Sequence, residues 1–316
     1  MREVPLEGYG TGYQPTIRIS ISQLGCVRKL RQREMEAICG PIDRTVTLKT
    51  EGNKHGPITR LVSPGDIGQL IKPFIFLDHF SMPSGPGGFK GFGWHPHSGI
   101  ATVTVLLEGS AWYEETTSKG EIEAGGVEFF RAASGAWHQG GPKGTDKKEG
   151  FQLWIALPES EELKEPDSYY LKASEINSHG PARIILGQYY DACSPIPTNG
   201  INYLDVKIKA NESWAYDTPD NHNVAFIVVY KGKIVCNNGK DTVGRGELVV
   251  FNESTGSLQF QEVEGFDASF LLGSALKHPY QLHTGSYSVH TSKQSLILGE
   301  QRIKEVGAQL KAKGII

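Results

Sequence analysis

From residue 44 onward, apolar and polar positions alternate with a period of two, in short runs closed by Gly, Pro, Asn or Asp. This is the pattern of half-buried β-strands. In the first half it predicts strands at 45–48, 73–77, 102–107, 126–131 and 151–157. A second series falls at 182–186, 202–208, 224–230, 233–236, 247–251, 257–260 and 268–272. Between them, 158–172 carries an acidic cluster and reads as a connector or a short helix. A helical period appears at 292–313, where Ile297, Ile303, Val306 and Leu310 fall roughly on one face. A weaker one at 23–38 is interrupted by Gly25.

The two series resemble each other. Val105-Leu106-Leu107-Glu108-Gly109 aligns with Val228-Val229-Tyr230-Lys231-Gly232, and Gly125–Phe130 aligns with Arg245–Phe251 after a one-residue slip. An all-β chain of two tandem barrels with a C-terminal helix is therefore expected. The expected divisions are an N-terminal extension at 1–43, a first barrel at 44–165, and a second barrel with the terminal helix at 166–316.

The chemistry concentrates in Gly93-Trp94-His95-Pro96-His97-Ser98-Gly99 and Ser134-Gly135-Ala136-Trp137-His138. His95 and His97, two apart on a strand, project from one face. His138 on a neighbouring strand can converge with them. Three neutral imidazoles suit one divalent transition ion, whether iron, nickel, copper, manganese or zinc, and leave coordination positions open. Strand parity places 95, 97, 101, 103 and 105 on one face, so the histidines are expected to continue into an interior of Val103 and Val105. Equal offsets in the second half land on Thr218, Asp220 and Leu258, so metal is expected in the first barrel alone. The other histidines read as structural or solvent-facing, with His79 the one to watch after Phe76-Leu77-Asp78.

Composition narrows the classes. Apolar residues make up 38% and charged residues 21%, and the 38 glycines and 17 prolines fit many turns. A net charge of −3 offers nucleic acid no basic field. The four cysteines form no C-x-x-C pair, which argues against a disulfide framework and for a reducing compartment. No apolar run suits a leader peptide or a membrane span. A cytoplasmic protein is expected, or a nuclear one in a eukaryote.

The H-x-H and G-x-x-H pair resembles the two-part cupin pattern of a jelly-roll barrel. More specifically, Pro73-Phe74-Ile75-Phe76-Leu77-Asp78-His79-Phe80, Gly93–His97, Thr102–Gly109 and Gly150–Ile155 are similar to the pirin family of two-barrel cupins, as are Lys277–Tyr280 and Gly285–Thr291. The likeness spans roughly 45–310. It implies metal ligands at His95, His97 and His138, followed by a glutamate two residues on, where this chain has Gly140. A further glutamate usual in the family falls at Ala101. Both departures remove acid, which leaves a three-histidine site with a weaker hold on hard cations.

The family includes quercetin 2,3-dioxygenases and non-enzymatic regulators that bind transcription factors or metabolic enzymes. The resemblance thus implies either a metal-dependent dioxygenase acting on a flavonol-like or other small aromatic substrate, or a regulatory interaction protein; a monomer is expected. Phe76, Phe130 and Trp154, with Phe74 and Trp137, are candidate pocket walls, core packing being the competing role. With no base at 140 or 101, a water, Asp78 or Glu128 would have to take the substrate proton. Weak or no quercetin turnover is expected.

Overall fold

Every strand expected beyond residue 44 is present in the computed structural model, which describes residues 44–316 apart from 86–88, 117, 238 and 240. The helix expected at 23–38 lies outside the described residues. The strands of the first half are β1 (Val46–Thr50), β2 (Asn53–His55), β3 (Ile58–Val62), β4 (Phe74–Met82), β5 (Phe92–His97), β6 (Ile100–Glu108), β7 (Ser110–Glu115), β8 (Lys119–Glu123), β9 (Val127–Arg131), β10 (Ala136–Lys143), β11 (Lys148–Ala156) and β12 (Asp167–Leu171). The last of these corrects the reading of 158–172 as connector or helix. Its Asp167 accepts two hydrogen bonds from Arg131 on β9, both at 2.5 Å, so an acidic residue serves an edge strand.

The first barrel combines a seven-stranded sheet, β12-β9-β6-β11-β4-β3-β2, with a four-stranded one, β5-β10-β7-β8. The second repeats this order, with Ile201–Ile208, Val224–Lys231, Leu248–Phe251 and Ala268–Ala275 in its large sheet and Ser213–Tyr216 and Leu258–Glu262 in its small one. The fold is therefore two tandem cupin jelly rolls. Their outer strands are exchanged: β1 pairs with Leu248–Phe251 of the second barrel, and β12, which precedes the second barrel, pairs with β9 of the first. Strand pairing thus crosses the division expected at 165.

The large sheets pack face to face. Val103, Val105, Phe129, Phe151 and Leu153 form one buried cluster with Phe226, Val228, Leu248 and Leu271. Each fully buried side chain of this kind contributes about 1.5–3 kcal/mol. A second cluster, including Tyr216, Ile234, Leu258 and Phe260, fills the second barrel. The first barrel has only small clusters of its own, such as Phe130 with Ala132 and Ala136. Its interior is left partly hollow.

The C-terminal helix Lys293–Ala312, reached through 287–292, returns to the first barrel. Trp137 Nε1 donates to Ile303 O at 2.9 Å, and Gly307 lets the indole approach, because a Cβ there would lie 2.7 Å from it. Ser98 Oγ meets His290 Nε2 at 2.9 Å, and His290 Nδ1 meets Glu162 at 3.1 Å, all buried. Among the described residues, no helix is long and apolar enough to cross a membrane.

Candidate metal centre

β5 and β10 are antiparallel neighbours, with His138 directly opposite His95 and Ala136 opposite His97. Direct cross-strand partners hold their Cβ atoms about 5 Å apart. The third ring follows from the two-residue spacing. The ring centroids lie 4.4 Å (His95–His138), 5.0 Å (His95–His97) and 5.1 Å (His97–His138) apart. One nitrogen from each falls within 4.8 Å of the others.

Hydrogen bonds decide which nitrogen that is. His95 Nδ1 meets Gly93 O at 2.8 Å, and His97 Nδ1 meets Tyr287 O at 3.1 Å. A carbonyl only accepts, so both Nδ1 atoms carry the proton and both Nε2 lone pairs stay free. His138 Nε2 is buried with no partner at all. A buried imidazole nitrogen left unpaired is costly unless something coordinates it. Burial, with the nearby His95 ring, pushes His97 down to about 3. Burial, then His97 and His95, holds His138 well below its ordinary value. All three rings are therefore the neutral donors that a cation requires, and the residues fit such an ion.

The three aromatics expected to wall a substrate pocket pack behind the histidines, Phe76 by way of Trp154. Phe130 stacks on His138 at 4.6 Å, Trp154 stands edge-on to His97 at 4.8 Å, and Phe76 stacks on Trp154 at 4.2 Å. None of them lines the cavity beside the histidines. Of the other two, Phe74 packs between the sheets against Phe226 at 5.2 Å, and Trp137 anchors the C-terminal helix. The cavity, about 110 Å³ where a single water needs roughly 10–15 Å³, is walled by Phe80, Phe89, Phe92, Leu106, Trp112 and Tyr113 among others.

Parity failed for an identifiable reason. Gly99, with φ +74°, turns the chain from β5 into β6, which belongs to the other sheet. The phase is reset there: Ala101, Val103 and Val105 face the inter-sheet core, while Thr104 and Leu106 face the cavity. A carboxylate at position 101 would sit in that core. Gly140 does line the cavity, but a Cβ there would approach Trp112 O to 2.9 Å, and Gly91 crosses close by against Gly140 O. Gln139 donates to Glu114 at 2.7 Å.

Acid reaches the cavity from the floor of the large sheet. Asp78 on β4, Gln152 on β11, Thr104 on β6 and Glu128 on β9 are successive cross-strand partners, and all four line it. Asp78 is paired with Arg60, and burial raises its pKa. Polar residues interrupting apolar strands were the available signal for this row. His79 is not part of it; it bonds Glu149 at 3.0 Å and stacks on Phe151.

Among its described residues the second barrel holds no counterpart. Its pairing sets Trp214 opposite Phe260 and Tyr216 opposite Leu258, so Trp214, Tyr216 and Phe260 occupy the three ligand positions. Their identities correct Thr218, Asp220 and Leu258, because the connections after Tyr216 and after Phe251 are longer than those after His97 and Arg131, and constant offsets do not carry across them. Among the described residues, the three histidines of the first barrel form the one cluster able to hold a metal ion.

A two-barrel cupin with a three-imidazole centre in its first barrel is the class that fold and site define. Residues 57–155 match the pirin family model. A pirin-like protein of Solanum lycopersicum is 31% identical over 241 residues, covering 70% of this chain and 80% of its own. The chain belongs to the pirin family. Among solved structures, a quercetin 2,3-dioxygenase from Acinetobacter baumannii superposes with a TM-score of 0.76 at 22% identity, over 87% of this chain and all of the other. The nickel(II) complex of the bacterial pirin YhhW from Escherichia coli gives 0.58 at 18% identity, over 71% and 94%. These two likenesses establish the fold.

Proposed function

We propose that this protein is a metal-dependent oxygenase that holds one divalent transition ion, iron foremost, on His95, His97 and His138 and acts on a flavonol-like or other small aromatic substrate. The observation that carries this is the buried, unpartnered Nε2 of His138 facing two other free Nε2 positions. An ion bound there would supply a Lewis-acid and redox centre with open coordination positions. The chain's own part is shape and polarity. Phe89, Phe92 and Trp112 offer flat apolar surface and exclude water, while Asp78, Gln152, Thr104 and Glu128 give hydroxyl groups a polar edge. The names carried by solved relatives, a quercetin 2,3-dioxygenase and a nickel-bound pirin, support the same reading.

The test is elemental analysis of protein purified without chelator, then dioxygen uptake across a panel of hydroxylated aromatics. We expect one ion per chain and uptake with at least one panel member. Quercetin itself should turn over slowly or not at all, since position 140 holds no carboxylate. Absence of metal would overturn the reading. Metal without uptake would also overturn it, and would favour a metal-loaded protein that works by binding a regulatory partner.

A further inference from the structure

His138 differs from the other two ligands in one respect. The Nδ1 atoms of His95 and His97 each meet a backbone carbonyl, whereas that of His138 faces a carboxylate, Glu128 Oε1, at 4.0 Å. We infer that Glu128 is a positioning residue that supplies from the sheet floor the acid missing at position 140, accepting the Nδ1–H of His138 and aiming its Nε2 at the ion.

Three observations converge on this role, which rests on the metal reading above. Glu128 is buried, and Thr104 Oγ1 donates to its Oε2 at 2.8 Å, which fixes the carboxylate and leaves Oε1 turned to the imidazole. Closing 4.0 Å to a hydrogen bond takes a shift of about 1 Å, and Phe130 stacked on the ring confines that movement to the ring plane. The rival acids are committed elsewhere. Asp78 is held by Arg60, and Glu115, the strand neighbour of His138, by Ser168 and Tyr170.

Position 140 is also closed to an acid by the approach of Trp112 O. A carboxylate behind a ligating imidazole raises its donor strength and offsets part of the ion's charge, which three neutral ligands alone do not. In this chain, acid therefore acts one shell further out.

Cobalt(II) titration of the metal-free protein tests this, followed by calorimetry and by the visible spectrum of the bound ion. Glu128→Ala should weaken cobalt binding about 10–100-fold and shift the spectrum, while the metal-free protein melts no more than a few degrees from wild type. Glu128→Gln, which keeps an acceptor without the charge, should fall between the two. Thr104→Val, which frees Oε2, should weaken binding less than Glu128→Ala, and it tests the role even if the alanine variant does not fold. Wild-type affinity and spectrum in Glu128→Ala, or in Thr104→Val should the alanine variant not fold, would overturn the inference while leaving the metal reading intact. A wild-type protein that takes up no cobalt would instead sink the metal reading.

Discussion

His97→Ala separates a metal site from a structural one. His97 is 2% exposed, and its ring lies between Trp154 and His138 while donating to Tyr287 O. Removing it strands that carbonyl, at about 1–3 kcal/mol, and empties ring-sized packing worth roughly another 2 kcal/mol. Against a typical stability of about 5–15 kcal/mol, the fold should survive, because the cluster joining the two large sheets contains no residue of β5. His95→Ala should cost less, since His95 is only half-buried and its partner Gly93 is exposed. Both variants should lose bound metal, but only His97→Ala should shift the urea midpoint appreciably. Metal content and urea melts of the two proteins decide it. An equivalent of metal retained by His97→Ala, or a variant unfolded at room temperature, would refute the reasoning.

Two further outcomes follow from the same structure. Gly140→Glu restores an acid at the family position, but its Cβ would meet Trp112 O at 2.9 Å. It should cost about 1–3 kcal/mol with no gain in cobalt affinity by calorimetry; tenfold tighter binding would show that the strand yields. Acid should also loosen the fold. Hydrogen bonding from His79, then from Lys147, holds Glu149 at about 2, and hydrogen bonds from His290 and Thr291 hold Glu162 at about 2 against the burial that opposes ionisation. Both carboxyls bind protons more weakly folded than unfolded. Their stabilisation is therefore complete above the ordinary value of 4.5 and is lost as pH falls from there toward 2. Melting temperature should drop through that window, and much less with Gln at both positions; a flat profile in the wild type would count against these contacts.

The three-histidine cluster was legible because its two motifs are short. Two histidines at strand spacing must share a face wherever the strand lies, and the G-x-x-H run places the third on a strand of similar pattern. The lining of the interior was not legible: one left-handed glycine at position 99 resets the parity on which Val103 and Val105 were placed. Phe76, Trp154 and Phe130 lie two residues along the sheet from the cavity-lining row, against the histidines or one another. Glu128 could be named as an available acid, but its Oε1 facing His138 depends on β9 lying beside β6, with Thr104 as its anchor.

The sequence by itself determined the period-two strands, the duplicated barrel and the three imidazoles, because short motifs carry each of them. The tertiary structure decided which side of each sheet is core and which is cavity, and that β1 and β12 change barrels. It also decided that the backbone of Tyr287, 190 residues beyond His97, fixes that ring's tautomer. Alternation says that two faces differ but not what each will meet. That depends on how the sheets stack, which is settled by contacts between segments far apart in the chain.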